Sequence, residues 1–386
     1  MRYILIAVFA INVHISFSQC GNRYKTDLFS VDTASYTYGE NYTYNNILQT
    51  LRLDLYLPHG DTFKQRPCVI FCFGGAFIQG DKKSTELVYF SRLLSQKGFV
   101  CASIDYRLDN SANMSANGES GAIIRAVQDA KAAIRFLKSK STELGIDTTN
   151  FFIGGTSAGG VTAITLGYSQ YSDFPSYIQS KIDSLGGWEG HSNILTNTST
   201  VKGLFNFSGA ILDTIHIGAG DLPIYLNHAT QDATVPFYSG YPLNGQSTTL
   251  MHGSGNIAKR MKNLGNYYSI DSFQSSAHPA FATTDFSVLI TTTENLRKFL
   301  YKIVGCDNVS SSIVENEVTE IQIPNPVSNT IYLPTVNKDI DVSLYNLLGT
   351  KLLERKTKEN RIDISQYSNG IYFLKYNQQI IKLIKE

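Results

Sequence analysis

Two kinds of apolar pattern alternate along the chain between residues 51 and 303. Continuous apolar runs such as Cys68–Phe73 are typical of strands buried on both faces of a parallel sheet. Apolar residues at helical spacing, as from Ile123 to Leu137, are typical of helices with one buried face. The predicted strands cover 51–57, 68–73, 99–104, 151–153, 204–207, 222–226 and 267–273, and the predicted helices cover 87–94, 123–137, 158–166, 257–264 and 293–303. Strands that alternate with helices predict an α/β fold, with a mostly parallel central sheet flanked by helices.

A different pattern begins after Cys306. Residues 309–318 separate the alternating region from the rest of the chain, and we predict that they form a linker. Residues 319–386 contain short alternating runs separated by turn residues, without a helical pattern; these runs are 330–333, 340–345, 361–364 and 370–374. The pattern predicts a small all-β sandwich as a separate C-terminal domain.

The first residues predict an export signal. Arg2 precedes a nearly uncharged apolar run from Tyr3 to Phe17, and Ser16–Ser18 has the small-x-small form that signal peptidase recognises. The run is shorter than the roughly 20 residues that a bilayer span requires. We therefore predict a signal peptide over residues 1–18, a main domain over residues 19–308, and an exported protein without a stable membrane span.

The charge balance excludes one class of partner. The 386 residues include 33 Lys and Arg against 32 Asp and Glu, which gives a formal net charge of +1. Such a balance gives no basis for a nucleic-acid-binding surface. Apolar residues make up 42% of the chain and charged residues 17%, so the chain can bury a large core and is not disordered as a whole.

The five cysteines are too few for a scaffold built on disulfides. Cys68, Cys72 and Cys101 lie in strand-like apolar runs, which favours burial as small hydrophobic residues. Cys20 and Cys306 flank the main domain, so we hypothesise a disulfide that joins its ends; free thiols are the alternative. Cys68 and Cys72 would point to one face of a strand without a second ligand pair nearby, so we expect no metal site.

A candidate nucleophile lies between a predicted strand and a predicted helix. Residues Gly155–Gly159 have the sequence GTSAG, which matches G-x-S-x-G with Ser157 at its centre. The motif follows strand 151–153 and precedes helix 158–166, which is the context of a nucleophile elbow. The glycines leave room for a sharp turn, and this turn presents the serine oxygen at the carboxyl edge of the sheet.

A glycine-containing turn, Phe73–Phe77 with the sequence FGGAF, ends the buried strand 68–73. Glycine lets backbone N–H groups turn towards a substrate, and acyl transfer needs such donors where negative charge develops on the carbonyl oxygen. The turn therefore predicts an oxyanion-binding role. A merely flexible strand-to-helix connection is the alternative.

An attacking serine needs a base, and the base needs an acid that orients it. Asp232 is the candidate acid because it lies just past the predicted strand 222–226. Asp213 and Asp221 are its rivals, but neither follows a strand as cleanly. We expect His228, in the same loop as Asp232, to shape that turn rather than to act as the base.

His278 is the candidate base. It follows strand 267–273 and precedes the last predicted helix, so its side chain can reach the sheet edge that carries Ser157. His252 is the rival. The resulting order Ser157, Asp232, His278 is the one expected for an α/β-hydrolase.

Several further segments carry a family resemblance. The segments are the FGGA turn at 73–76, DYRL at 105–108, DAKAAIRFL at 129–137, GTSAGG at 155–160, and the segments around Asp232 and His278. Through these segments, residues 45–305 resemble the α/β-hydrolase fold, closest to carboxylesterases and hormone-sensitive-lipase-like esterases.

The resemblance implies roles for further residues. The backbone amides of Gly75, Ala76 and Ala158 would form the oxyanion hole, and Arg107 and Asp129 would be structural. The family turn usually begins with histidine and often has a third glycine. This chain has phenylalanine and alanine at those two positions, which is a departure from the family pattern.

Residues 323–386 are similar to the C-terminal sorting domain of the bacterial type IX secretion system. The similarity rests on IPNP at 323–326, LYNLLG at 344–349, ISQYSNGIY at 364–372 and the closing KLIK at 382–385. It implies that the protein partners with type IX secretion machinery, crosses the outer membrane, and is then secreted or attached to the cell surface. A carbohydrate-binding β-sandwich is the alternative.

Together these features predict a secreted serine hydrolase that cleaves carboxylic esters through an acyl-enzyme and requires no cofactor or metal. The substrate would be a small-molecule or polysaccharide-linked ester, with acyl or feruloyl groups as candidates. The alternatives are a peptidase of the same fold and a non-catalytic binding or adhesion protein. Residues 168–200, which contain several aromatic side chains, would either cap the site or pack their aromatics on themselves.

Overall fold

A computed structural model describes residues 20–109, 116–306, 326–333, 340–346, 350–376 and 379–386. The predicted signal peptide, residues 1–18, and the predicted linker, residues 309–318, lie outside the described residues. The chain divides into two compact units, residues 1–310 and residues 311–386.

The first unit combines a large sheet with helices. Its strands are β1 (Val31–Tyr42), β2 (Leu48–Pro58), β3 (Arg66–Cys72), β4 (Val100–Ile104), β5 (Ile146–Thr156), β6 (Gly203–Phe207), β7 (Ala210–Ile211), β8 (Ile224–Ala229), β9 (Ser239–Gly240), β10 (Met251–Gly253) and β11 (Tyr268–Phe273). Its helices are α1 (Thr85–Gln96), α2 (Ala116–Ser139), α3 (Ser141–Leu144), α4 (Ala158–Tyr168), α5 (Ser176–Ser184), α6 (Ser254–Leu264) and α7 (Phe286–Val304).

Eight strands form the central sheet, in the order β1-β2-β4-β3-β5-β6-β8-β11. The pairs β1/β2 and β2/β4 are antiparallel, and all the pairs from β4/β3 onwards are parallel. The predicted α/β fold with a mostly parallel sheet is therefore confirmed. Because β3, β5, β6, β8 and β11 run in one direction, the loops that follow them meet at the same edge of the sheet.

Close packing of small residues holds α4 against this sheet. A Cβ atom on Gly155 or on Gly159 would lie 2.1 Å from the carbonyl oxygen of Cys72 on β3. Almost every residue of α4 is buried, and α4 contacts β3, β5 and β6. Glycine at these positions is therefore required for the helix to begin directly at the end of β5.

The segment 168–200 packs on the first unit with its own aromatic side chains. Phe174 and Trp188 lie 5.4 Å apart between ring centroids, and the Lys131 ammonium of α2 lies 4.7 Å from the Trp188 ring. The Gln128 amide, also on α2, donates hydrogen bonds to the carbonyl oxygens of Leu185 and Gly187. The segment is thus anchored along α2.

A disulfide joins Cys20 to Cys306, with a Cα–Cα distance of 5.6 Å, so the two ends of the first unit are linked as hypothesised. Cys68, Cys72 and Cys101 are buried free thiols. Burial raises the pKa of Cys101 to about 12, and it raises the pKa values of Cys68 and Cys72 as well. These thiols are therefore protonated and unreactive at neutral pH.

The second unit is all-β where it is described, as predicted. Its strands are β12 (Thr330–Tyr332), β13 (Ile340–Asn346), β14 (Lys351–Thr357), β15 (Arg361–Asp363), β16 (Gly370–Tyr376) and β17 (Gln379–Lys385). They form a two-stranded sheet, β12-β15, and a four-stranded antiparallel sheet, β14-β13-β16-β17. Both sheets contribute to one buried core, with Ile331 and Ile362 from the first and Val342, Leu344 and Leu374 from the second. Across the described ranges of both units, every helix is too short or too polar to cross a membrane.

Candidate active site

Ser157 occupies the sharp turn between β5 and α4. Its backbone has φ 52° and ψ −115°, a left-handed conformation that is strained for a residue with a side chain. The Ser157 N–H donates to the carbonyl oxygen of Phe207 at the end of β6, with a distance of 2.8 Å. This bond and the glycines on either side hold the strained turn in place at the carboxyl edge of the sheet.

Ser157, His278 and Asp232 form a continuous chain of hydrogen bonds. His278 Nε2 lies 2.7 Å from Ser157 Oγ, and His278 Nδ1 lies 2.6 Å from Asp232 Oδ2. A carboxylate can only accept, so His278 Nδ1 carries the proton and Nε2 is left to accept the serine hydroxyl hydrogen. The structure thus brings together three side chains that are up to 121 residues apart in sequence.

The Asp232 side chain is fully buried and held from several directions. Its Oδ1 accepts hydrogen bonds from the backbone N–H groups of Thr234 (2.8 Å) and Val235 (3.0 Å). Burial by itself would raise the pKa of Asp232, but hydrogen bonds from His228 and His278 outweigh burial and lower the pKa to about 2. The carboxylate is therefore ionised at any pH at which the histidine can act as a base.

His228 contacts the same oxygen of Asp232 as His278 does, a contact that the sequence did not predict. The His228 ring is fully buried, and its Nε2 lies 2.9 Å from the Val235 carbonyl oxygen and 3.3 Å from Asp232 Oδ2. Both partners can only accept, so Nε2 carries a proton. The Ser254 hydroxyl lies 2.9 Å from Nδ1 and also accepts a hydrogen bond from the Asn206 amide. His228 is therefore a hydrogen-bond donor to Asp232. Its place four residues before Asp232, at the end of an apolar run, was the available signal in the sequence.

The turn after β3 lies against the serine. A Cβ atom on Gly74 would lie 3.3 Å from the Cβ of Ser157. Gly75, Ala76 and Phe77 all have positive φ values of 120°, 54° and 63°, so alanine adopts the left-handed conformation here without the third glycine of the family pattern. A side chain at Gly75 would lie 2.1 Å from the Gln79 carbonyl oxygen, which requires glycine at that position.

The predicted oxyanion donors are available. Within the described ranges, no acceptor is hydrogen-bonded to the N–H groups of Gly75, Ala76 and Ala158. Ala158 is the first residue of α4, where the helix leaves N–H groups without an intrahelical partner and its dipole favours negative charge. Ala76, Ala158 and Ser157 line the same pocket.

This pocket is predominantly apolar and encloses about 660 Å³, including the solvent at its mouth. Its lining comes from the turn after β3, the first turns of α2, α4 and the segment 235–251. The lining residues are Ala76, Phe77, Ile78, Asp109, Glu119, Ala122, Ile123, Ser157, Ala158, Val161, Val235, Pro242, Leu243, Ser247 and Met251. None of these described residues belongs to the segment 168–200, so that segment packs its aromatics on itself and along α2 and does not cap the pocket.

The rival candidates have other contacts. The His252 Nδ1 lies 2.9 Å from the hydroxyl of Ser239. Asp213 accepts a hydrogen bond from the Ile215 N–H and so caps a short 3-10 turn. Asp221 accepts from the Gly218 N–H. In the described part of the chain, no group of three or more His, Cys, Asp or Glu side chains is arranged to hold a metal ion.

A serine, histidine and aspartate that meet at the carboxyl edge of this sheet define the α/β-hydrolase class. Residues 53–210 match the BD-FAE family, and residues 323–386 match the family described as "Secretion system C-terminal sorting domain". The chain therefore contains a BD-FAE domain of the α/β-hydrolase esterases and a C-terminal sorting domain, and both family resemblances noted in the sequence are confirmed.

Individual proteins to which the chain is similar are also named as esterases. A probable isoprenylcysteine alpha-carbonyl methylesterase of Arabidopsis thaliana is 34% identical over 150 residues, which cover 37% of this chain and 29% of that protein. Esterase LipC of Mycobacterium tuberculosis is 29% identical over 140 residues, which cover 33% of this chain and 32% of LipC. The chain thus spans about three-tenths of the length of these curated relatives. A solved esterase of Thermogutta terrifontis with bound propionate has a TM-score of 0.54 and 22% identity, and the match covers 72% of this chain and 97% of that one. This likeness shows the fold.

Proposed function

We propose that the protein is an exported serine hydrolase that cleaves carboxylic esters. Ser157 is the nucleophile, His278 the general base and acid, and Asp232 the residue that orients and stabilises the imidazole. The observation that carries the proposal is the Ser157–His278–Asp232 chain of hydrogen bonds, at 2.7 and 2.6 Å, beside unpaired backbone N–H groups in an apolar pocket.

The first half of the reaction forms an acyl-enzyme. His278 Nε2 takes the hydroxyl proton as Ser157 Oγ attacks the ester carbonyl carbon. The N–H groups of Gly75, Ala76 and Ala158 donate to the oxygen on which negative charge develops, and Asp232 stabilises the imidazolium ion. When the carbon–oxygen bond to the alcohol breaks, the alcohol oxygen takes the proton from Nε2.

The second half releases the acid. A water molecule gives a proton to His278 Nε2 and attacks the acyl carbon, and the same N–H groups stabilise the second oxyanion. The bond from carbon to Ser157 Oγ then breaks, and the serine oxygen takes the proton back. Because the pKa of Asp232 is held at about 2, the carboxylate keeps its charge throughout the cycle.

The proposed substrate class and the proposed export of the protein are supported by other features. Esterase names among the relatives and the apolar lining support acyl or aromatic acyl esters, such as feruloyl groups, either on small molecules or on polysaccharide. The match of residues 323–386 to a sorting domain supports export through type IX secretion machinery, to the medium or to the cell surface.

The test is hydrolysis of short p-nitrophenyl esters by the full chain and by two serine variants. We expect Ser157→Ala to lower kcat by at least about 10³-fold, because removing any triad member removes covalent catalysis. Ser239→Ala is the matched control, since this exposed serine does not line the pocket, and it should retain wild-type rates. An unchanged rate in Ser157→Ala would remove Ser157 from the mechanism. Absence of wild-type hydrolysis across alkyl, acetylated and feruloylated esters would reject the esterase proposal and favour a binding protein.

A further inference from the structure

One ionised group in the pocket is not used by the mechanism proposed above. Glu119 lies in the first turn of α2 and lines the same pocket as Ser157. Its Oε2 accepts a hydrogen bond from the hydroxyl of Ser247 at 3.0 Å, and no other described residue donates to its carboxylate. One carboxylate oxygen is therefore left to accept a hydrogen from a molecule in the pocket.

Among the described residues that line the pocket, Glu119 has no cationic partner. The N-terminal turn of a helix stabilises negative charge, and a hydroxyl donor stabilises it further. The other acidic group in the lining, Asp109, is paired with Arg125 at 2.8 Å. The lining contains no lysine or arginine among the described residues. The pocket therefore offers one carboxylate without a cationic partner in a predominantly apolar lining.

We infer that Glu119 determines substrate specificity by accepting a hydrogen bond from a hydroxyl or ammonium group of the ester. This inference rests on the esterase function proposed above and adds a requirement on its substrate. An ester with a donor at the right distance from the carbonyl binds Glu119, a purely alkyl ester leaves the carboxylate without a partner, and a carboxylate-bearing ester is repelled.

Matched ester series test the inference. One series varies the acyl group, with methyl hexanoate, methyl ω-hydroxyhexanoate, methyl ω-aminohexanoate and monomethyl adipate. The second varies the alcohol, with butyrate esters of pentanol, pentanediol and aminopentanol. Proton release at constant pH gives kcat/KM for each ester with the full-length protein. In at least one series we expect the donor-bearing ester to exceed the alkyl ester by about tenfold or more, and monomethyl adipate to be the poorest acyl substrate.

Two variants assign the preference to Glu119. Glu119→Ala should abolish the preference, mainly by raising KM for the donor-bearing esters. Glu119→Gln should keep much of a preference for hydroxyl and lose a preference for ammonium, because the amide still accepts a hydrogen bond but carries no charge. Glu143→Gln is the charge-matched control, since Glu143 is exposed and pairs with Lys140 outside the pocket.

The outcomes separate this inference from the esterase proposal. If wild type prefers no donor-bearing ester in either series, or if Glu119→Ala keeps the preference, Glu119 does not determine specificity, although hydrolysis of the alkyl esters would still support the esterase function. If no ester in either series is hydrolysed, and feruloylated and acetylated esters are not either, the esterase proposal itself fails.

Discussion

Two buried aspartates in the first unit, Asp232 and Asp129, have similar surroundings and different consequences. Both side chains are fully buried, and both accept hydrogen bonds from backbone N–H groups. Asp232 is bonded to His278, whose side chain is 16% exposed and which is bonded in turn to Ser157. Asp129 is bonded to Arg107, whose side chain is only 1% exposed.

The Asp129 network is closed. Its Oδ2 accepts from Arg107 Nε at 2.9 Å and from the Arg107 N–H at 2.8 Å, and its Oδ1 accepts from the hydroxyl of Ser192 at 2.5 Å. An arginine guanidinium does not give up its proton in proteins, so Arg107 cannot serve as a base in the way a histidine can. In the proposed mechanism Asp232 takes part in chemistry because its partner is a histidine that is itself bonded to a pocket residue, Ser157. Asp129, whose partner is an arginine, instead joins three parts of the fold: the residues just after β4, helix α2 and the segment 168–200.

The largest expected effect separates the two aspartates by activity. Asp232→Asn should lower kcat by about 10³- to 10⁴-fold, because the amide would favour the wrong tautomer of His278. The measurement is ester hydrolysis at neutral pH. Asp213→Asn is the matched control, since Asp213 was the rival acid and caps a turn elsewhere. A larger loss in Asp213→Asn than in Asp232→Asn would reassign the acid.

Asp129 should instead affect stability. Asp129→Asn leaves the buried Arg107 guanidinium without its counter-charge, so we expect a loss of about 3–5 kcal/mol in the free energy of unfolding. The chain has one tryptophan, Trp188, and its fluorescence during denaturation reports on the first unit. The kcat per folded molecule should remain near that of wild type.

A surface charge gives the control for Asp129→Asn. Glu143→Gln breaks an exposed pair with Lys140 and should cost less than about 1 kcal/mol. If Asp129→Asn were no more destabilising than Glu143→Gln, or if it lowered kcat as much as Asp232→Asn does, the distinction between the two networks would be wrong.

Much of the fold could be predicted because burial imposes a period on the sequence. The strands from β2 to β11 in the central sheet and the helices from α1 to α7, apart from α3 and α5, overlap with predicted segments, but β5 begins five residues before its predicted segment and α2 and α7 each begin seven residues before theirs. Strand β1 was missed because it lies at the sheet edge, pairs only with β2 and is mostly exposed, so its sequence VDTASYTYGENY lacks a continuous apolar run. Strand β14, KLLERKT, was missed for a similar reason: it is an edge strand rich in charged residues.

The candidate site likewise has one part that could be predicted from the sequence and one part that could not. Ser157, Asp232 and His278 could be identified because each follows a strand and the strands share one edge. The wall formed by residues 235–251 and the contact of His228 with Asp232 could not, because both depend on how loops fold over one another. The aromatic residues of 168–200 suggested a cap, but aromatic content does not distinguish a side chain that faces a ligand from one that packs on its neighbours. In this segment Phe174 and Trp188 pack on each other.

The smallest expected effect concerns how His228 supports the acid. His228 and His278 both lower the pKa of Asp232 against the effect of burial, so His228→Leu should raise that pKa above about 2. A carboxyl group whose pKa is lower in the folded state than in the unfolded state, where it is about 3.9, stabilises the fold above that value. This stabilisation is lost as the pH falls through the folded-state pKa. In both proteins the loss begins as the pH falls below the unfolded-state pKa, but in His228→Leu it should be smaller and complete at a higher pH than in wild type.

The pH dependence distinguishes support of the acid from simple packing. His228→Leu also removes the ring from the Ser254 hydroxyl, which should cost about 1–3 kcal/mol at all pH values. The informative quantity is thus the pH dependence of the free energy of unfolding between pH 2 and pH 5, and not its absolute value. We expect kcat at neutral pH to fall by only about tenfold, since Asp232 keeps its two backbone donors. His228→Gln, which retains an N–H donor, should recover part of both losses. Parallel stability curves for wild type and His228→Leu would mean that His228 only fills space, and Asp232 would then depend on His278 and the loop backbone alone.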